Sequence, residues 1–273
     1  MINTFENIIL SSAMGSRTGR GDAPVSTTTT TTTSTTTTTT STTSTTTTCP
    51  PSTIVASGLV LYNRCCSLSG SIWYDVSGNG NHALVSGSAL VQSTGSMGIL
   101  FNGTNNFITY PNTLAGGQPT TQWTMQWYGS YYSASASPNL DLFCKNTYID
   151  GWDTIFNIAT PQTLVFRDVS GQDYNKTVSY TPNTKILYTM TVDSTLNQIN
   201  AYWNTTQVGT GSQASPVNDF DSSTKPLVFG WNSDTDASYF KGTMSDLILY
   251  NRILTSAEVT TNYNTLTAVN ACF

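Results

Sequence analysis

The chain has 273 residues, of which 9% are charged, and a formal net charge of −5. Sparse, net-acidic charge excludes the clustered Lys and Arg that nucleic-acid binding needs, and no apolar run is long enough to cross a membrane as a helix. All six Trp and all fourteen Tyr fall after residue 56, so the side chains able to build one sizeable core are gathered in the remainder of the chain.

In chain order, residues 1–26 form a short head. Ile2, Phe5, Ile8 and Ile9 approach the 3, 4, 7 spacing of one helix face. The segment is too short to hold a helix alone in water, so it reads either as a frayed terminus or as an anchor that orders on a partner surface. It lacks a basic start, and Glu6 interrupts its apolar stretch, so it does not read as a secretory signal. Residues 27–51 read as an extended stalk. Positions 27–48 are Thr except for Ser34, Ser41 and Ser44, and Cys49-Pro50-Pro51 ends the tract. Thr is β-branched and resists helix, so the tract is expected to be extended. It has nothing to bury within one chain. Side-by-side packing of identical strands would pair its backbone and stack its methyls, which predicts a homo-oligomer held along residues 27–48.

Residues 52–273 read as an all-β domain. Strands are expected at 58–62, 98–102, 106–110, 122–132, 140–144, 153–158, 163–168, 176–181, 185–192, 198–204, 226–230 and 239–250, separated by Gly, Asn, Pro and Ser turns. Tyr188–Val192 and Ile199–Trp203 alternate at period two, which predicts half-buried antiparallel strands. Thr255-Ser256-Ala257-Glu258 is a capping box that opens a helix over 255–265.

Chemistry for catalysis is sparse. The only two Glu are Glu6 in the head and Glu258 in the capping box, so the paired carboxylates of a glycosidase are not in view. The single histidine, His82, sits in a Gly-Asn turn with no nucleophile pattern around it. The chain is therefore expected not to be an enzyme. Two loops suit sugar binding, where an exposed indole supplies a flat apolar face and acids or amides take the hydroxyls. They are Tyr148–Asp153, with Asp150, Trp152 and Asp153, and Gly230–Asp236, with Trp231, Asn232 and Asp234. The alternative is that both Trp side chains fill the core. The cysteines at 49, 65, 66, 144 and 272 are odd in number and show no metal spacing. Cys65 and Cys66 are neighbours, poorly placed to bond each other, so buried free thiols are the favoured reading, with a bridge through Cys49 or Cys272 left open.

The stretch Trp73-Tyr74-Asp75-Val76-Ser77-Gly78-Asn79-Gly80-Asn81-His82-Ala83 resembles the W-x-D-x-S-G-N-G-N signature of laminin-G-like, concanavalin A-like jelly-roll domains. Gly98–Gly103 with Phe107–Tyr110 resembles that family's F-x-G-x-x-D-x-Y/V strand pair. Gly242–Arg252 with Leu254, Thr255 and Glu258 resembles its closing strand and short helix. The resemblance spans about residues 57–266 and implies an antiparallel jelly-roll sandwich. It also implies a calcium candidate, Asp75, Asn79 and Asn81, against which stands the reading that these side chains cap backbone groups in the turn. The wording of the turn is similar to domains in structural proteins of tailed phages, including cyanophages. Anchor, stalk and lectin-like head then imply a virion surface protein on the capsid or tail. Residues 1–26 would hold a capsid or tail protein, the stalk would be trimeric by analogy with fibrous appendages, and the head would contact host glycans. A secreted or cell-surface lectin-like adhesin with a mucin-like stalk is the alternative.

Overall fold

The computed structural model describes residues 53–87, 90–92, 98–132, 139–145, 152–157, 163–168, 173–177, 179, 181–212, 226–231 and 239–268. The anchor residues Ile2, Phe5, Ile8 and Ile9, the Thr-rich stalk, and Asp150, Asn232 and Asp234 lie outside them.

The described residues form sixteen strands and one helix. The strands are β1 (Leu59–Ser69), β2 (Ile72–Asp75), β3 (Ala83–Ser86), β4 (Leu90–Gln92), β5 (Gly98–Asn102), β6 (Phe107–Thr109), β7 (Gln122–Tyr131) and β8 (Asn139–Lys145). They continue as β9 (Trp152–Asn157), β10 (Thr163–Asp168), β11 (Asp173–Thr177), β12 (Ile186–Asp193), β13 (Gln198–Trp203), β14 (Thr206–Ser212), β15 (Leu227–Phe229) and β16 (Lys241–Tyr250). Helix α1 (Ser256–Ala268) follows. Pairing is antiparallel throughout, in the order β11-β10-β9-β8-β15-β6-β3-β2-β1-β16-β7-β12-β13-β14, with β5 on β16 and β4 on β5. This is the expected all-β architecture, a concanavalin A-like sandwich. The back layer runs from β16 to β14 and the front layer from β2 to β11, with β1 joining them. β1 can serve both because its register breaks between Asn63 and Leu68, so its first half follows β16 and its second half follows β2.

The inner core lies between the layers. Trp73, Val85, Ile108, Tyr110 and Phe229 come from the front, and Trp123, Met125, Trp127, Met190, Val192, Leu247 and Leu249 from the back. Phe101, Phe229 and Phe240 meet edge to face with centroids 5.2–5.4 Å apart, and Trp127 joins Phe240 at 5.6 Å. Each such pair adds about 0.5–1.5 kcal/mol beyond the area it buries.

A second core lies on the outside of the back layer. Tyr128, Leu187, Tyr202, Ile248 and Tyr250 face Leu254, Val259 and Leu266. β12 is consequently buried along its whole length, not half-buried as its alternation predicts. Period two places alternate residues on two faces, but α1, more than sixty residues further on, seals the second. Asn262, fully buried, fixes the helix to the sheet. Its carboxamide donates to Gln126 Oε1 at 2.7 Å and to the Tyr250 hydroxyl at 2.8 Å, and accepts from Val55 N–H at 2.8 Å. The capping box forms as expected. Thr255 N–H donates to Glu258 Oε2 at 2.9 Å, Glu258 N–H donates to Thr255 Oγ1 at 3.3 Å, and Arg252 pairs with the same carboxylate at 2.6 Å.

The cysteines depart from expectation. Cys65 and Cys66 are disulfide-bonded, while Cys144 is free and buried. β2, β3, β4 and β14 lie outside the expected strands. β14 reads Thr-Gln-Val-Gly-Thr-Gly-Ser, with too little apolar alternation to mark it.

Candidate functional site

The Gly-Asn turn between β2 and β3 is built around Asp75. One carboxylate oxygen accepts from Tyr62 N–H and Ser77 N–H at 2.9 Å each, and the other from Ser77 Oγ at 2.8 Å and Asn81 N–H at 2.9 Å. Asn81 is buried. Its side-chain oxygen accepts from Ala115 N–H at 2.8 Å, and its amide donates to the Val60 and Ala115 carbonyls. Asn79 donates to the carbonyls of Leu59 and Val60. Gly78 and Gly80 carry the positive φ, 94° and 78°, that the turn demands. These three side chains stitch β1 to the turn and to the 114–116 segment. The side-chain oxygens of Asp75 and Asn81 are turned onto N–H and O–H donors of the protein, which favours the backbone-capping reading of these residues over an ion site. Among the described residues no group of three His, Cys, Asp or Glu could hold a metal. His82 closes the same turn by accepting from Asp75 N–H through Nδ1 at 3.0 Å, with its ring 4.9 Å edge-on to Tyr74.

The aromatic candidates lie on the front layer. Trp231 follows β15, and Gly230, at φ 85° with its backbone against the Phe101 ring, turns the chain there. Trp231 forms an isolated bridge with Tyr239, which brings the two rings into a stack with centroids 6.1 Å apart and planes 11° apart. Phe107 of β6 also packs against the indole, with centroids 4.8 Å apart and planes 38° apart. All three residues are half-buried, so the rings form a platform with part of its surface open. The Trp231 carbonyl accepts from the Cys144 thiol at 3.2 Å, tying the platform to β8. The indole Nε1–H of Trp231 is enclosed and has no hydrogen-bond partner among the described residues.

Trp152 and Asp153 open β9, where they pair with Lys145 and Cys144 of β8. Lys145 in turn pairs with Leu227. Trp152 is therefore on the same row as Leu227, two strands across, while Trp231 lies beyond the end of β15, after the turn at Gly230. Sequence reasoning found Trp231 but not Phe107 or Tyr239. Outward Phe107 beside inward Ile108 was a legible alternation, whereas the bridge that adds Tyr239 is not written in local sequence.

The outer side of β2 and β3 continues this apolar surface. Ile72 and Leu84 face each other across the pair and are exposed, as are Tyr74 and Val76.

The other charged cluster lies on the back layer. Arg64 Nε lies 3.6 Å from Asp246 Oδ1, and the Tyr62 hydroxyl donates to the same oxygen at 3.3 Å. Burial pushes the Asp246 carboxyl up to about 6, against the downward pull of the Arg64 guanidinium, the Tyr62 hydroxyl and Lys185. Both side chains of the ion pair are almost wholly enclosed, so this is a structural pair.

Two layers of antiparallel strands, closed by the Gly-Asn turn and bearing an open ring platform, define a jelly-roll domain of the lectin type. The family model for the concanavalin A-like lectin/glucanases superfamily matches residues 102–260, and the chain belongs to that superfamily. Among solved structures, a Trypanosoma rangeli sialidase mutant displaying trans-sialidase activity superposes with a TM-score of 0.60 at 16% identity, over 81% of this chain and 35% of that one. The binding domain of botulinum neurotoxin serotype D gives 0.59 at 11% identity, over 77% and 52%. The binding domain of botulinum neurotoxin DC, solved with rat synaptotagmin II, gives 0.58 at 15%, over 78% and 52%. The chain thus spans about half of the toxin structures and about a third of the sialidase, and these likenesses concern the fold. No relative is found among curated protein sequences.

Proposed function

We propose that this domain is the displayed, carbohydrate-contacting head of a virion surface protein, carried on the Thr-rich tract and held to a capsid or tail protein through residues 1–26. The observation that carries the binding half is the platform of Phe107, Trp231 and Tyr239. Three rings from separate parts of the chain meet with part of their surface open, as holding the C–H face of a sugar requires. Membership of a lectin/glucanase superfamily supports carbohydrate or receptor binding. The virion half rests on the order of anchor, stalk and head and on the wording of the Gly-Asn turn. In this reading the head binds without cleaving, which is supported by the engagement of Glu258 with the helix cap and Arg252. A trimer held along residues 27–48 belongs to the same proposal.

The test is a glycan array probed with the full-length chain and with Trp231→Ala and Tyr239→Ala. Both variants should lose binding at least tenfold while keeping a cooperative melt. Wild-type binding that survives in both would remove the platform from the function. A chain lacking residues 1–26 should fold and no longer co-sediment with virions.

One observation favours a second reading, a secreted or cell-surface adhesin. The bonds at Cys65 and Cys66 belong to an oxidising space. O-glycans on residues 27–48 would decide for it.

A further inference from the structure

Four of the five cysteines enter a single argument. Cys144 is free, with its thiol directed at the Trp231 carbonyl. Cys65 and Cys66 are both oxidised, and they are consecutive residues of β1. Consecutive Cα atoms are about 3.8 Å apart across a trans peptide, whereas a disulfide usually spans about 4.4–6.8 Å between Cα atoms. In extended backbone, neighbouring side chains also point to opposite faces, and here Cys65 is buried while Cys66 is half-buried. The two therefore do not bond each other, and each needs its own partner. The sequence has two cysteines left, Cys49 and Cys272.

We infer that β1 is a double covalent clasp, with Cys65 and Cys66 holding Cys49, at the foot of the Thr-rich tract, and Cys272, near the other end of the domain. Each bond forms from two thiols with loss of two protons and two electrons. An external disulfide accepts them by thiol–disulfide exchange and leaves as two thiols. In either pairing, the covalent path from residue 49 to residue 272 passes only through residues 65 and 66. Tension entering along the tract then crosses the domain through four residues, and the rest of the sandwich carries none of it. β1 suits the task, since it is paired to β16 on one side and β2 on the other.

Mass spectrometry of the full-length chain tests the connectivity. After alkylation of free thiols without reductant, trypsin cuts next to the clasp, after Arg64, and also after Arg20, Lys145 and Arg252. The expected product is one species joining peptides 21–64, 65–145 and 253–273, with Cys144 alkylated, that falls into three on reduction. A lone 65–145 peptide two mass units light, with Cys49 and Cys272 alkylated, overturns the inference, as do five alkylated cysteines or bonds between copies. Pulling on the two ends of a single molecule gives the second readout. Without reductant, no step from the folded domain should appear. With reductant, unfolding should release residues 50–271, roughly 700 Å of chain at about 3.3 Å per residue. A full-length step without reductant overturns the clasp. Neither measurement reads ligand binding, so failure here leaves the carbohydrate proposal untouched, and failure on the array leaves the clasp untouched.

Discussion

The two outer faces of the sandwich contrast. Both arise from the same alternation, with every second residue turned from the inner core. On the back layer the outward residues are Tyr128, Leu187, Ile248 and Tyr250, which α1 covers, and the polar ones among them are hydrogen-bonded: Gln126 to Thr189 and Asn262, and Ser130 to Thr243. On the front layer the outward residues are Ile72, Tyr74, Leu84 and Phe107, and no helix lies over them among the described residues. A face sealed by a helix with a matched polar network contributes stability, whereas an open apolar face with half-buried rings is free for a ligand. The difference separates the helix-sealed side of the domain from the side that carries the proposed binding platform, and substitutions should divide accordingly.

The largest effect is expected at the seal. Asn262→Ala leaves the Val55 N–H, Gln126 carboxamide and Tyr250 hydroxyl without their partner, and about 3–4 kcal/mol of stability should be lost in urea unfolding. A loss under 1 kcal/mol would mean that α1 is held by apolar contact alone. Next comes Asp246, beneath the same layer. Its folded pKa lies above the unfolded value, so the folded state binds more protons in between. Stability from this carboxyl is full below pH 4 and is lost as pH rises through about 6. The shift corresponds to about 2–3 kcal/mol. Melting temperature followed from pH 4 to 7 should show this downward component in the wild type, and Asp246→Asn should flatten it. An identical slope in the variant would assign the pH dependence elsewhere.

On the front layer effects should shrink. Gly80→Val meets no atom within 4 Å but forces a β-branched residue to φ 78°, at a cost of about 1–2 kcal/mol. An unchanged melting temperature would show the turn to be relaxed. Leu84→Thr is the smallest. Leu84 is 53% exposed, so stability should move by less than about 0.5 kcal/mol. A larger loss would mean that something covers this face and that the contrast between the layers is false.

How much of this was legible in sequence follows from the range of the forces involved. The Gly-Asn turn, the closing strand and the capping box each act within a dozen residues, and the sequence marks them clearly. Full burial of β12 was not legible, because Val259 and Leu266 reach it only after the sandwich has closed. The Phe107–Trp231–Tyr239 platform joins positions that no local pattern relates. Asp75 and Asn81 had two readings with the same residue types, and only the direction of their hydrogen bonds separates a backbone cap from an ion site. Adjacent cysteines read as poor partners for each other, and the oxidised state of Cys65 and Cys66 bears on the next step alone. The step that failed was from "not with each other" to "free".

The double pairing of β1 also governs when the domain can form. Leu61 lies beside Leu249, so the strand that joins the layers waits for a partner made nearly 190 residues later, the last strand among the described residues. At about 5–20 residues per second, synthesis leaves that interval open on the order of ten to forty seconds. Until β16 arrives, β1 has one bare edge and the back layer lacks the strand that links it to β7. Closure therefore waits until β16 has been made, and the growing chain depends on its own polar turns, or on a chaperone, to keep that edge from pairing with a stranger.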